Sequence, residues 1–170
     1  MGADIHAVIE YSIEAEFLRP DGLAFMEWPR HSDLFGALGA FDNSAHRMVP
    51  PRGFPIHSSY LTQSQYALHV CPDDAVVEYA DQRVISESEA LAAVSAGEAR
   101  FLENCLLSPS LSDPSFAYPN WITLPEFDTV CTKFMANPGK ISRECLAALY
   151  LMKEIEDGEV CTRLVYWFDV

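Results

Sequence analysis

The sequence predicts an α+β domain: a mainly antiparallel sheet that contains the N- and C-terminal strands, with helices packed on one face. Three observations carry that reading. Residues 4–11 alternate with a period of two, Ile5, Ala7 and Ile9 against Asp4, His6 and Glu10, as a strand requires. The second half holds two boxes of the form Ser/Thr-x-x-Glu ahead of apolar runs, the signature of a helix start. Residues 160–170 are rich in β-branched and aromatic side chains and read as a closing strand. With 170 residues, 49% of them hydrophobic, the chain fits one globular domain spanning 1–170 and can bury a sizeable core.

The elements follow in order. After the first strand, residues 14–28 suggest a hairpin that turns at Pro20-Asp21-Gly22, with 25–28 as its return. Ser32 is placed to cap a short helix over 33–41, weakened by Gly36 and Gly39. Residues 42–55 read as an ordered loop or extended segment, because Pro50, Pro51 and Pro55 can neither donate to a ladder nor continue a helix. The Ser86–Glu89 box opens a helix expected to run to about Cys105. Residues 106–120, interrupted by Pro109, Pro114 and Pro119, are expected to form a long loop.

The Thr123–Glu126 box opens the next helix, with Ile122 and Phe127 as a hydrophobic staple and Pro125 in the first turn. That helix should end before Asn137-Pro138-Gly139. Ser142 caps another, which carries Leu146, Leu149, Met152 and Ile155 on one face and has Gly158 as a stop. The two make an αα-hairpin. If the closing strand lies antiparallel to the first, Asp169 approaches Asp4; a parallel pairing would separate them.

Charge narrows the function classes. The formal net charge is -14, from 25 acidic against 11 basic residues, which disfavours general nucleic-acid binding because phosphates are repelled. Such acidity serves solubility, or it suits a protein that covers a basic surface, as a DNA mimic does. The five cysteines, Cys71, Cys105, Cys131, Cys145 and Cys161, show no paired spacing, so neither a disulfide framework nor a structural zinc site is expected. They suit reduced, buried thiols. No charged-then-apolar leader and no apolar run near 18 residues is visible, and His6 stands where a myristoylation signal needs Ser or Thr. A soluble, cytoplasmic protein without membrane partners is the expectation.

Candidate chemistry begins with the first strand. Residues i and i+2 on one strand face lie about 7 Å apart, so Asp4 and His6 could hold one ion between them, with Asp169 as a third ligand. Histidine mixed with carboxylates suits zinc, manganese or iron better than calcium, and zinc, manganese and magnesium are the divalent ions to be tried. A bound ion of that kind could supply a nucleophilic water. The structural alternative is that Asp4 caps a turn and His6 bonds to the sheet. Arg30 and Arg52 are candidate anion ligands, and Arg47, His46 and His57 cluster with Arg52 along the proline-rich stretch. Arg52 beside Gly53 could offer a guanidinium fork and a bare backbone to a phosphate or carboxylate. Arg52 could equally pair with an internal acid and pin the loop. Trp121 could stack on a base or fill the core. Walker, G-x-G-x-x-G, G-x-S-x-G and H-E-x-x-H motifs are absent.

Five segments together, Met1-Gly-Ala-Asp-Ile-His6, Arg30-His-Ser-Asp-Leu-Phe35, Pro51-Arg-Gly-Phe-Pro55, Trp121-Ile-Thr-Leu-Pro-Glu126 and Arg163-Leu-Val-Tyr-Trp-Phe-Asp169, resemble a family of small bacteriophage and prophage proteins without an assigned activity. Members begin Met-Gly-Cys-Asp-Ile-His and end Phe-Trp-Phe-Asp-Asn. The resemblance implies a phage- or prophage-encoded protein of the host cytoplasm. It singles out Asp4, His6, Arg30, Asp33, Arg52, Trp121 and Asp169. Ala3 and Val170 depart from the pattern, and residues 116–120 lack the histidine that the family commonly carries before its Trp block.

The expected function is a polar pocket for a small anionic ligand, of the phosphorylated or nucleotide class. Metal-assisted hydrolysis of a phosphoester is the reaction the residues could perform, with Asp4, His6 and Asp169 on the ion and Arg30 and Arg52 on the anion. The alternative is an acidic interaction protein that inhibits a basic host factor. Converging arginines would favour the first, and acids gathered on one exposed face the second.

Overall fold

Strand β1 (Ile5–Ser12) and strand β8 (Cys161–Asp169) run antiparallel along their whole length, from Ile5 opposite Phe168 to Ser12 opposite Cys161. A computed structural model describes residues 4–28, 32–39, 47–75, 83–106, 109–136 and 141–169. β2 (Asp21–Trp28) adds to the other side of β1 and β7 (Phe116–Thr123) to the other side of β8, giving an antiparallel sheet of order β2-β1-β8-β7. A second sheet has the order β4-β3-β6-β5, built from β3 (Ala67–Cys71), β4 (Val84–Ser86), β5 (Phe101–Leu102) and β6 (Ser110–Ser112). Only its β3–β4 pair is parallel. The expected α+β architecture, with the first and last strands side by side, is present.

Period-two alternation sorts the β1 and β8 side chains onto two faces. Ile5, Ala7, Ile9, Leu164, Tyr166 and Phe168 face the main core. Helices α1 (Ser32–Leu38), α4 (Leu124–Met135) and α5 (Arg143–Ile155) cover that face, contributing Phe35, Phe127 and Leu149 among others. Trp28 stacks on Phe127 with ring centroids 6.0 Å apart, and the Tyr166 hydroxyl donates to the Leu38 carbonyl at 2.9 Å. Helices α1, α4 and α5 therefore share one face of this sheet, as its sequence pattern implies, while α2 lies on the other.

The opposite face is not left to water. Val8, Val165 and Trp167 pack there with Tyr66 of α2 (Tyr60–Tyr66), and Phe25, Phe54 and Trp121 close around them. Gly22 permits the close approach of α2 to β2: a Cβ at that position would lie 2.5 Å from Leu61 Cβ. So the row holding His6 and Glu10 is a second interior, and β8 is buried from Thr162 to Phe168.

Three expectations are corrected. Helix α3 (Glu87–Ala96) starts at the Ser86 capping box but stops well before Cys105, because Gly97 takes a left-handed conformation (φ 75°) and ends it. Residues 106–120 are not one long loop, since β6 and the start of β7 lie within them. Pro119 is tolerated because β7 is an edge strand and its pairing shifts between Ala117 and Asn120. The hairpin return is also longer than expected, with β2 beginning at Asp21. Elements α2, β3 and β4 lie in a stretch where the sequence reading proposes none. Arg30, His46 and the Asn137-Pro138-Gly139 turn fall outside the described residues.

Candidate ligand site around Trp121

The site is built outward from one buried acid. Glu10 of β1 and Arg163 of β8 are cross-strand partners with side-chain exposures of 0% and 5%. Arg163 Nε donates to Glu10 Oε2 at 2.8 Å, and Nη2 lies 2.7 Å from the same oxygen. The other oxygen, Oε1, accepts the Ser59 backbone N–H at 2.6 Å and the Thr62 hydroxyl. Ser59 is the N-cap of α2, so a single carboxylate fixes both a cation and the start of a helix. Arg163 also donates to the His57 carbonyl. The Glu10–Arg163 pair thereby holds the whole 57–62 segment against the sheet. Burial lowers the Arg163 pKa, and the Glu10 charge opposes that shift.

A second ion pair lies beside the first. Arg52 Nη1 donates to Glu126 Oε2 at 2.9 Å and to the Trp121 carbonyl at 3.0 Å, while Nη2 donates to Glu126 Oε1 at 2.5 Å. Glu126 is the acid of the α4 capping box and accepts the Thr123 backbone N–H at 3.0 Å. The Arg52 hydrogen bond is the main cause that depresses the Glu126 pKa to about 2. Asn120 completes the frame: its side chain accepts from Arg52 N at 2.9 Å and donates to the Pro50 carbonyl at 3.1 Å. Arg52 thus pins the proline-rich segment, the structural one of its two expected roles.

Pinning does not exhaust Arg52. Its side chain keeps 23% exposure, and among the described residues no hydrogen bond uses its Nε–H. Its guanidinium carbon lies 4.5 Å from the Trp121 ring centroid, and that of Arg163 lies 5.5 Å from the same ring. Arg163 also lies 4.4 Å from the ring of Phe17, a residue with φ 51°. Together Arg52, Trp121, Arg163, Phe17, Phe54 and His57 line a cavity of about 420 Å³. That volume is within the range of small-molecule sites. Glu16 also lines it.

The expected site residues are distributed as follows. Arg52 and Trp121 meet at this cavity. Gly53 (φ 73°) turns the chain there but lines a neighbouring hollow with Arg100 and Tyr66. Asp4, His6 and Asp169 do gather at one end of the β1–β8 pair, with Asp169 N donating to the Asp4 carbonyl at 3.3 Å. Asp169 itself engages His6 Nε2, and His6 Nδ1 lies 3.5 Å from Glu27 Oε1. The imidazole packs between the rings of Phe25, Phe116 and Trp167, while Asp4 is exposed. Among the described residues, no group of three or more His, Cys, Asp or Glu side chains could hold a metal ion. Both histidine nitrogens face carboxylates, so the imidazole is bound by its own neighbours.

Arg163, Phe17 and Phe54 are among the lining residues that sequence reasoning missed. A signal for Arg163 existed, because the register that brings Asp169 to Asp4 also carries Arg163 to Glu10. Phe17, in an irregular turn, offered none. Searches of protein-family models, curated proteins and solved structures give no match to this chain.

Proposed function

We propose that the cavity over Trp121 binds a small anionic ligand that carries a planar ring, a nucleotide being the class that suits it. The observation that supports this reading is the placement of two guanidinium groups against one half-buried indole, in a chain of net charge -14. An arginine beside an aromatic face offers both a stacking surface and N–H donors to a phosphate. In a strongly negative molecule, a concave site lined by cations is also where an anion meets the least repulsion. Turnover is not part of the proposal.

Converging arginines favour a ligand pocket over an acidic interaction surface, which would present carboxylates on one exposed face. The phage or prophage origin implied by the five sequence blocks stays with this proposal, as does action in the host cytoplasm.

Tryptophan fluorescence tests it. The chain has three tryptophans; Trp28 and Trp167 are 1% and 0% exposed, so a ligand in the cavity acts chiefly on Trp121. Titration with ribonucleoside monophosphates should change the emission of the native protein, and Trp121→Phe should remove that response. The absence of binding in a parallel calorimetric titration would overturn the proposal.

A further inference from the structure

A second cavity, of about 550 Å³, adjoins the first, and His57 lines both. Its walls include Arg19, Asp21, Ser58 and Asn104. Gln63 spans it structurally, donating to the Ser58 carbonyl at 2.8 Å and accepting Leu106 N at 2.7 Å. The amide of Gln63 is therefore committed to holding the walls together. The partition between the two cavities is equally fixed, since the His57 carbonyl is held by Arg163 and Ser59 N by Glu10.

The cation in this second lobe differs from those in the first. Arg52 and Arg163 each lie against a carboxylate, whereas among the described residues no carboxylate pairs with Arg19. In a chain with 25 acids and 11 bases, an arginine at a cavity wall without an acid partner keeps its full charge for something else. Ser58 and Asn104 add polar groups that can donate to phosphate oxygens. Asp21 opposes an anion there, which gives the hypothesis a built-in control of opposite sign.

We propose that the two cavities are lobes of one cleft, and that the Arg19 lobe takes a distal anionic group of the ligand whose ring end lies over Trp121. The ligand class is then a nucleoside polyphosphate rather than a monophosphate. This rests on the reading of the Trp121 cavity given above. The phosphate chain crosses the partition at His57, and Arg19 receives its far end.

Calorimetric titration with the four ribonucleoside monophosphates and the corresponding triphosphates, in magnesium-free buffer, separates the two proposals. Wild-type protein should bind its preferred triphosphate about tenfold more tightly than the monophosphate, the gain expected of one charge-assisted contact. Arg19→Ala should remove that advantage and leave monophosphate affinity unchanged, while Asp21→Asn should enlarge it. Arg19 and Asp21 are both exposed, so the variants should fold, and their melting temperatures check this. Monophosphate binding without a triphosphate advantage, or an advantage that survives Arg19→Ala, would overturn the second lobe alone. No binding of either series to the wild type would overturn the Trp121 reading, and the second lobe with it.

Discussion

Glu10 and Arg163 face each other across the two central strands, with Arg163 Nε 2.8 Å from a carboxylate that has no solvent contact. Neither charge can be removed alone without stranding the other in a dry interior.

Arg163→Met should therefore destabilise the protein by about 3–5 kcal/mol, the usual cost of leaving a buried charge unpaired. Equilibrium urea unfolding measures it. Glu10→Gln, which also weakens the hold on Ser59 and Thr62, should cost a comparable amount. The double variant should lose less than the sum of the two, and additivity in that cycle would show that the two groups do not act as a pair.

The Glu126 carboxylate makes a smaller, pH-dependent contribution. Its pKa falls from 4.5 to about 2 on folding, first because of the Arg52 hydrogen bond. A depressed folded pKa gives stability that is complete above 4.5 and is lost as the pH falls toward 2. With 36% exposure of Glu126, solvent screening limits the effect to about 1 kcal/mol or less. Glu126→Gln should flatten that part of the acid limb in melting curves recorded across the range. An unchanged acid limb would count against the pair.

Gly22 should not accept a side chain. A Cβ there meets Leu61 Cβ at 2.5 Å and Ser59 Oγ at 2.7 Å, so Gly22→Ala must push α2 away from β2. A loss of about 1–3 kcal/mol is expected from such overpacking, with a lower melting temperature as the readout. A neutral substitution would mean that α2 is not seated as described.

The thiols should divide by location. Cys131 and Cys145 touch across α4 and α5 with Sγ atoms 3.8 Å apart, both fully buried, and the contact with Cys131 together with burial pushes the Cys145 pKa up. Burial also raises that of Cys105. Native-state alkylation followed by mass spectrometry should mark the half-buried Cys161 first and Cys105 more slowly. Cys71, Cys131 and Cys145 should react only after unfolding.

Local signals were legible in the sequence because short-range chemistry writes them. Ser86, Thr123 and Ser142 stand at helix starts, and the Ser86 and Ser142 side chains accept the expected backbone N–H groups. Asp169 reaches Asp4 because β8 pairs antiparallel to β1, the condition that alternation alone left open. What failed was non-local. The acid opposite Arg163 lies 153 residues away in the chain, and nothing near either residue reports the 57–66 segment that closes over their face. The surroundings of His6 were legible only in part: sequence placed the ring among carboxylates but could not show that Asp169 and Glu27 would face its two nitrogens. Pro119 misled because a proline excluded from a central strand is harmless at the edge position that β7 occupies.

The central place of β8 has a consequence for the order in which this protein acquires its structure. Ribosomes deliver a chain from its N-terminal end, so β1 emerges long before β8, which pairs along its second edge. Until residues 161–169 leave the exit tunnel, the aliphatic row of Ile5, Ala7 and Ile9 has no β8 ladder beside it, and Glu10 has no counter-ion. Contacts of such high sequence separation slow folding. The nascent chain must wait, with its edges open to misassembly, and cooperative closure cannot begin until β8 is free to pair.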